Sequence, residues 1–228
     1  MVQICVSIAA PSMERMESLL STALAQGADL VEIRFDHLPS LPSREELARR
    51  LDVDRPLIAT VRKPNDGGLS HFPEAERRDF LARAAERFEY VDVELESGEK
   101  SFIEKLASAG CRVIVSFHDF SGMPDLSRLR SIYRRAKGLG ADLVKLACMA
   151  RSKRDVSTLL AIHAYATDIV AIPMGRDGMV GRVLAPLLGS AFTYAYLDGE
   201  APVAPGMLPI GTMRQIYRTL GEALGDLP

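Results

Sequence analysis

Short apolar runs alternate with amphipathic stretches along the whole chain. Eight runs have the length and composition of buried strands: Gln3–Ala9, Asp29–Asp36, Pro56–Arg62, Tyr90–Leu95, Cys111–His118, Leu143–Cys148, Ile169–Met174 and Phe192–Leu197. Between them apolar residues recur at helical spacing. Met16, Leu19, Leu20, Ala23 and Leu24 follow Ser12, a candidate N-cap. Leu126, Leu129, Ile132, Tyr133 and Ala136 form a second such stripe, and Val156, Leu159, Leu160 and His163 a third. Strict strand–helix alternation with short links predicts parallel strands joined by right-handed crossovers. Eight such units in 228 residues close into an α/β (β/α)8 TIM barrel. No linker or composition shift divides the chain, which predicts a single domain over residues 1–228.

Alternation within the runs sorts residues by face, because successive strand side chains point to opposite sides. Glu32, Arg34 and Asp36 share one side of the second run, opposite Val31, Ile33 and Phe35. Ile58, Thr60 and Arg62 go together in the third, Asp92 and Glu94 in the fourth, and Ile114, Ser116 and His118 in the fifth. Helices cover the outside of a barrel, so the uniformly apolar sides face outward and the polar sets face the lumen. A lumen carrying Glu32, Arg34, Arg62, Glu94, His118 and Lys145 holds more charge than packing needs. Such charges are paired or functional.

Composition narrows the classes without changing this picture. Apolar residues make up 47% and charged residues 25%, ordinary for a globular protein. The formal net charge of -2 argues against a nucleic-acid surface, which needs a basic excess. Charges interrupt every apolar run before it reaches membrane-spanning length. Met1–Val6 lacks a basic leader and cleavage site and reads as a first strand, not a signal peptide. Cys5, Cys111 and Cys148 lie in or beside apolar runs without CxxC spacing, which predicts buried free thiols in a reducing cytoplasm.

The candidate chemistry centres on Lys145 in Leu143–Met149 and on His118 at the end of a neighbouring run. A lysine stripped of hydration loses its proton more readily, and a neutral amine attacks carbonyls. A histidine beside it moves protons near neutral pH. The bland alternatives are a lysine paired with Glu94 or Glu32 and a histidine bonded to a backbone carbonyl. His37, His71 and His163 show no HxH or HExxH spacing, so no metal site is expected. Arg34, Arg62 and Arg182 near strand ends suit a carboxylate or vicinal hydroxyls. Met174–Gly181 is glycine-rich and open to a phosphate-loop reading. The stretch from Asp198 through Leu208 is a turn-rich connection or a loop that closes over substrate.

The ordered stretches Glu32–Asp36, Arg62 before Gly67-Gly68, Asp92–Leu95, Ser116–Asp119, Val144–Ala147, Met174-Gly175 through Gly181-Arg182, Gly189-Ser190 and Ala204–Gly206 resemble the type I 3-dehydroquinate dehydratases along nearly the whole chain. The resemblance implies a (β/α)8 barrel, commonly a homodimer. It implies a lyase that converts 3-dehydroquinate to 3-dehydroshikimate, towards aromatic amino acids, without metal or organic cofactor. Lys145 would form an iminium with the C3 ketone. His118 would take the C2 proton and assist loss of the C1 hydroxyl. Glu32, Arg34 and Arg62 would hold ring hydroxyls, and Arg182 the carboxylate. Asp66 stands where the family usually has a glutamate bonded to the histidine. Val203 and Met207 replace a serine and a glutamine in the family's closing loop, a loss of grip of about 1–3 kcal/mol. The rivals are an aldolase-like Schiff-base barrel acting on a phosphorylated sugar and a ligand-binding barrel without turnover.

Overall fold

In the computed structural model, residues 2–69 and 72–224 are described. Eight strands form the barrel: β1 Ile4–Ile8, β2 Leu30–Arg34, β3 Leu57–Thr60, β4 Tyr90–Glu94, β5 Arg112–Asp119, β6 Leu143–Met149, β7 Ile169–Met174 and β8 Thr193–Tyr196. A ninth, β9 Leu208–Pro209, pairs in parallel beside β8 and lies where the sequence suggests loop. The helices are α1 Met13–Ala25, α2 Arg44–Arg50, α3 Glu74–Ala84, α4 Lys100–Ser108, α5 Leu126–Gly138, α6 Lys153–Leu160, α7 Met179–Leu187 and α8 Ile210–Leu224. Side chains cap several of them, Ser12 among them as the sequence suggests. Ser12 accepts from the Arg15 amide, Asp125 from Arg128 and Ser152 from Asp155, each satisfying an N-terminal donor that no helical carbonyl reaches.

All strand pairs are parallel, in the order β7-β6-β5-β4-β3-β2-β1-β8-β9. Among the described residues β7 and β8 share no ladder. Ala191 N donates to Ile169 O at 2.9 Å, and Ser190 Oγ accepts from Ala171 N at 3.0 Å, bringing these two strands together. His163, in the short 3-10 turn after α6, meets the same Ser190 Oγ at 2.9 Å and serves this seam.

The face assignment holds. Val31, Ile33, Val91, Val93, Val113 and Val115 join the large apolar layer between strands and helices. A smaller apolar cluster with Cys5, Ile58, Tyr90, Ile114, Phe192 and Tyr194 fills the lumen beneath the polar residues. Two polar residues that the sequence places inside strands lie beyond the strands observed. β2 ends at Arg34, and Phe35–His37 makes a 3-10 turn, so Asp36 folds back onto Arg34. β3 ends at Thr60, leaving Arg62 at the start of the following loop. All three cysteines are buried and free.

Candidate active site

The nine residues to which the resemblance assigns a role line one cavity, whereas Glu94 does not. The cavity is bounded by Glu32, Arg34, Arg62, Asp66, His118, Lys145, Arg182, Val203 and Met207, among others. The parallel register explains the convergence. Ser116 pairs with Lys145 and His118 with Ala147, so the histidine stands one inward position further along the neighbouring strand than the lysine.

Lys145 is 5% exposed, yet it is not in the apolar setting its neighbours in sequence suggest. Its Nζ donates to Asp92 Oδ2 at 2.8 Å and reaches Glu32 Oε1 and the Tyr194 hydroxyl at 3.4 and 3.3 Å. Glu94, a suggested partner, is elsewhere: it accepts from Arg77 Nη2 at 2.6 Å and from the Lys63 amide at 3.0 Å. Arg77, on α3, also donates to Val61 O, so a helix outside the barrel decides where this carboxylate points.

Arg62 donates to Ser116 Oγ at 2.7 Å and lies 2.7 Å from Asp92 Oδ2. Burial raises the Asp92 pKa, but Arg62 and Lys145 overcome it and hold this carboxyl far below its ordinary range. Glu32 follows the same logic. Burial acts upward, and Lys145 and Arg34 bring the net shift downward. Arg34 is gripped by Asp36 through Nε at 2.8 Å and Nη2 at 2.7 Å. Burial acts downward on the guanidinium pKa, and this bond together with the charges of Asp36 and Glu32 brings the net shift upward.

His118 departs from expectation in its proton affinity. Burial first, then the positive charges of Arg62 and Lys145, push its pKa well below the ordinary histidine value. It is therefore a neutral imidazole at working pH, competent to accept a proton. Asp66 comes near without bonding: its Oδ1 is 3.7 Å from His118 Nδ1, and that nitrogen is buried with no hydrogen-bond partner among the described residues. Burial raises the Asp66 pKa.

Arg182, from α7, is 1% exposed and faces no carboxylate among the described residues. Burial alone brings its pKa down to about 10. Its Nη2 donates to Pro205 O at 2.9 Å, and its Nε has no partner. Gly175 N also donates to Pro205 O at 3.2 Å, which commits this glycine of the Met174–Gly181 stretch to the loop and not to a phosphate. Met207 is buried and Val203 partly so, forming an apolar wall with Ala147, Ile172 and Met174.

Sequence reasoning missed Asp92 and Tyr194 as members of the lysine's setting, although Asp92 lies on the expected lumen side. The signal for Tyr194 is weak: one hydroxyl on an inward position of β8, beside aromatic neighbours. His71 lies outside the described residues. Among the described residues no group of three or more His, Cys, Asp or Glu side chains is disposed as a metal site, and no helix is long and apolar enough to cross a membrane.

Comparison with known proteins matches residues 4–223 to the family model of type I 3-dehydroquinase. A 3-dehydroquinate dehydratase of Archaeoglobus fulgidus is 38% identical over 200 residues, 87% of this chain and 93% of the relative. One from Methanothermobacter thermautotrophicus is 36% identical over 226 residues, 98% of each. The crystal structure of 3-dehydroquinate dehydratase from Geobacillus kaustophilus superposes with a TM-score of 0.90 at 26% identity, covering 99% of this chain and 93% of that one.

Proposed function

The chain belongs to the type I 3-dehydroquinase family, and from that premise we propose that it is a hydro-lyase dehydrating 3-dehydroquinate to 3-dehydroshikimate, on the route to aromatic amino acids. The observation that carries this reading is the meeting of Lys145, His118 and Arg182 around one cavity. Lys145 attacks the C3 ketone and, with loss of water, forms an iminium. Neutral His118 takes a C2 proton, and the iminium accepts the electron pair as an enamine. The enamine then expels the C1 hydroxyl, to which His118 returns its proton, and hydrolysis frees the product. Arg182, a buried cation with no carboxylate partner among the described residues, receives the substrate carboxylate.

Glu32, Arg34 and Arg62 are assigned to the ring hydroxyls. Asp36 and Asp92 orient the two arginines. Asp66 modulates His118 from a distance without holding it. Val203 and Met207 give an apolar contact in place of two hydrogen bonds, so a weaker grip on a hydroxylated ring follows, by about 1–3 kcal/mol. The chain works as a homodimer in the cytoplasm. Three buried free thiols suit a reducing compartment. The exposed Val180, Leu184 and Leu188 on and just after α7 offer an apolar stripe, because the helix's one charged side chain, Arg182, is buried.

The test is to mix the protein with 3-dehydroquinate, follow the conjugated enone by ultraviolet absorbance, and trap the covalent adduct with borohydride. Lys145→Ala should abolish both signals. His118→Ala should lose turnover by about 100-fold or more while still being trapped. Full turnover by Lys145→Ala would remove the Schiff base from the mechanism. Binding without turnover by the intact chain would identify a ligand-binding barrel.

A further inference from the structure

Schiff-base formation needs proton transfers at the lysine before any chemistry at C2, and His118 stands one inward position away from that nitrogen. The lumen around Lys145 supplies a nearer group. Tyr194, from β8, places its hydroxyl 3.3 Å from Lys145 Nζ and 3.4 Å from Glu32 Oε1. Its ring lies under the ammonium, 4.8 Å from Nζ to centroid, and is held edge-on by Phe192. The hydroxyl therefore closes a triangle on the cavity wall with the amine and the carboxylate, which are themselves 3.4 Å apart, and it can donate to the carboxylate while accepting from the amine. Glu32 is fixed in turn. Its oxygens already accept from Ser7 Oγ and from Thr60 Oγ1, the latter at 3.1 Å. A carboxylate so occupied in the free site is built to serve the lysine as much as the substrate.

We propose that Tyr194 is a catalytic residue of the imine-forming step, relaying protons between Lys145 and Glu32. The proposal rests on the Schiff-base reading given above. The ammonium first gives one proton to the phenol oxygen while the phenol gives its own to Glu32, leaving a neutral amine and a protonated carboxyl. The amine's lone pair forms the C–N bond and the ketone π pair moves to oxygen. A second proton passes from nitrogen to that oxygen, giving a neutral carbinolamine. The relay then runs backwards: Glu32 returns its proton through Tyr194 to the hydroxyl, the C–O bond breaks, water leaves, and nitrogen's lone pair forms the iminium. Tyr194 and Glu32 end as they began, and the two protons lost by the ammonium leave in the water. Asp92, the other carboxylate on Lys145, is pinned by Arg62 and positions the amine.

The experiment is rapid borohydride trapping of the full chain with 3-dehydroquinate, for the wild type, Tyr194→Phe, Glu32→Gln and the double variant, with circular dichroism to establish folding. Phenylalanine keeps the ring and its packing and removes only the hydroxyl. Tyr194→Phe should slow trapping about 10- to 100-fold. Removing both partners of one relay should cost no more than the worse single change. Equal trapping rates in wild type and a folded Tyr194→Phe would overturn the relay and leave the Schiff base standing. Multiplicative losses in the double variant would also overturn it, since independent structural damage adds in free energy. A wild type that turns over but is never trapped would instead remove the Schiff base itself, and the relay with it.

Discussion

His118 and Asp66 show how one methylene changes a site. The aspartate stops 3.7 Å short of Nδ1, and the nitrogen stays buried with no hydrogen-bond partner among the described residues. Burial and two cations then decide the proton affinity, downward. The sign follows for activity. A base with a depressed pKa stays unprotonated to lower pH, so the acid limb of kcat/KM should lie below the ordinary histidine range of about 6.5. Asp66→Glu should close the gap, and the new carboxylate contact favours the imidazolium. The acid limb should move to higher pH, and kcat/KM on the plateau should rise about 2- to 10-fold, the scale of one hydrogen bond of 0.5–1.5 kcal/mol. A pH profile identical to the wild type would mean that residue 66 does not reach the imidazole even when longer. Stability carries the same sign. The neutral buried histidine favours folding above the unfolded value of about 6.5, and that contribution is lost as pH falls towards the folded pKa.

The connection from Asp198 to Met207 acts as one element because both of its ends are tied down, one to the C-cap of α1 and to α8, the other to β8. Asp198 exchanges hydrogen bonds with Gln26 and accepts from Gly211 N, and β9 then rejoins β8. Its tip approaches the turn after β7 as closely as backbone allows. Gly206 has φ +75, and a Cβ there would lie 2.2 Å from Gly175 O. Only glycine meets both demands. Gly206→Ala should therefore lift the tip, break the Arg182–Pro205 bond and expose the cavity. We expect KM to rise about 10-fold, equivalent to about 1.4 kcal/mol, with a smaller change in kcat. Steady-state kinetics checks this, and an unchanged KM would show that substrate binding does not need the docked tip. The turn-rich composition of this stretch was visible in the sequence. Its docking was not, because the partner glycine is contributed by another βα loop.

At the scale of the whole molecule, function depends on closing eight strands so that their polar faces meet. Lys145 draws on β2, β4 and β8 for Glu32, Asp92 and Tyr194. Outside, α7 combines a buried Arg182 facing the site with an exposed apolar stripe. If that stripe is the homodimer contact, Leu184→Glu should place an unpaired charge in it. Sedimentation should then give a species near the 24.9 kDa monomer where the wild type gives twice that mass. A wild type that is itself monomeric would remove the dimer from the proposal.

The amino-acid sequence by itself determined the strand–helix alternation, the number of barrel strands and the face of most strand residues, and it singled out a lysine and a histidine that line one cavity. These follow from periods of 2 and 3.6 that each segment carries locally. Tertiary structure alone decided whom Lys145 meets, why Glu94 turns outward to Arg77, and that Asp66 falls short of His118. It also decided that Leu208–Pro209 pairs with β8, and that Ser190 bridges β7 and β8. Those outcomes depend on register and closure between segments tens of residues apart. Asp92 and Lys145 are 53 positions apart, and Tyr194 lies 49 beyond the lysine. A local period says which way a side chain points, and only the closed barrel says what is waiting there.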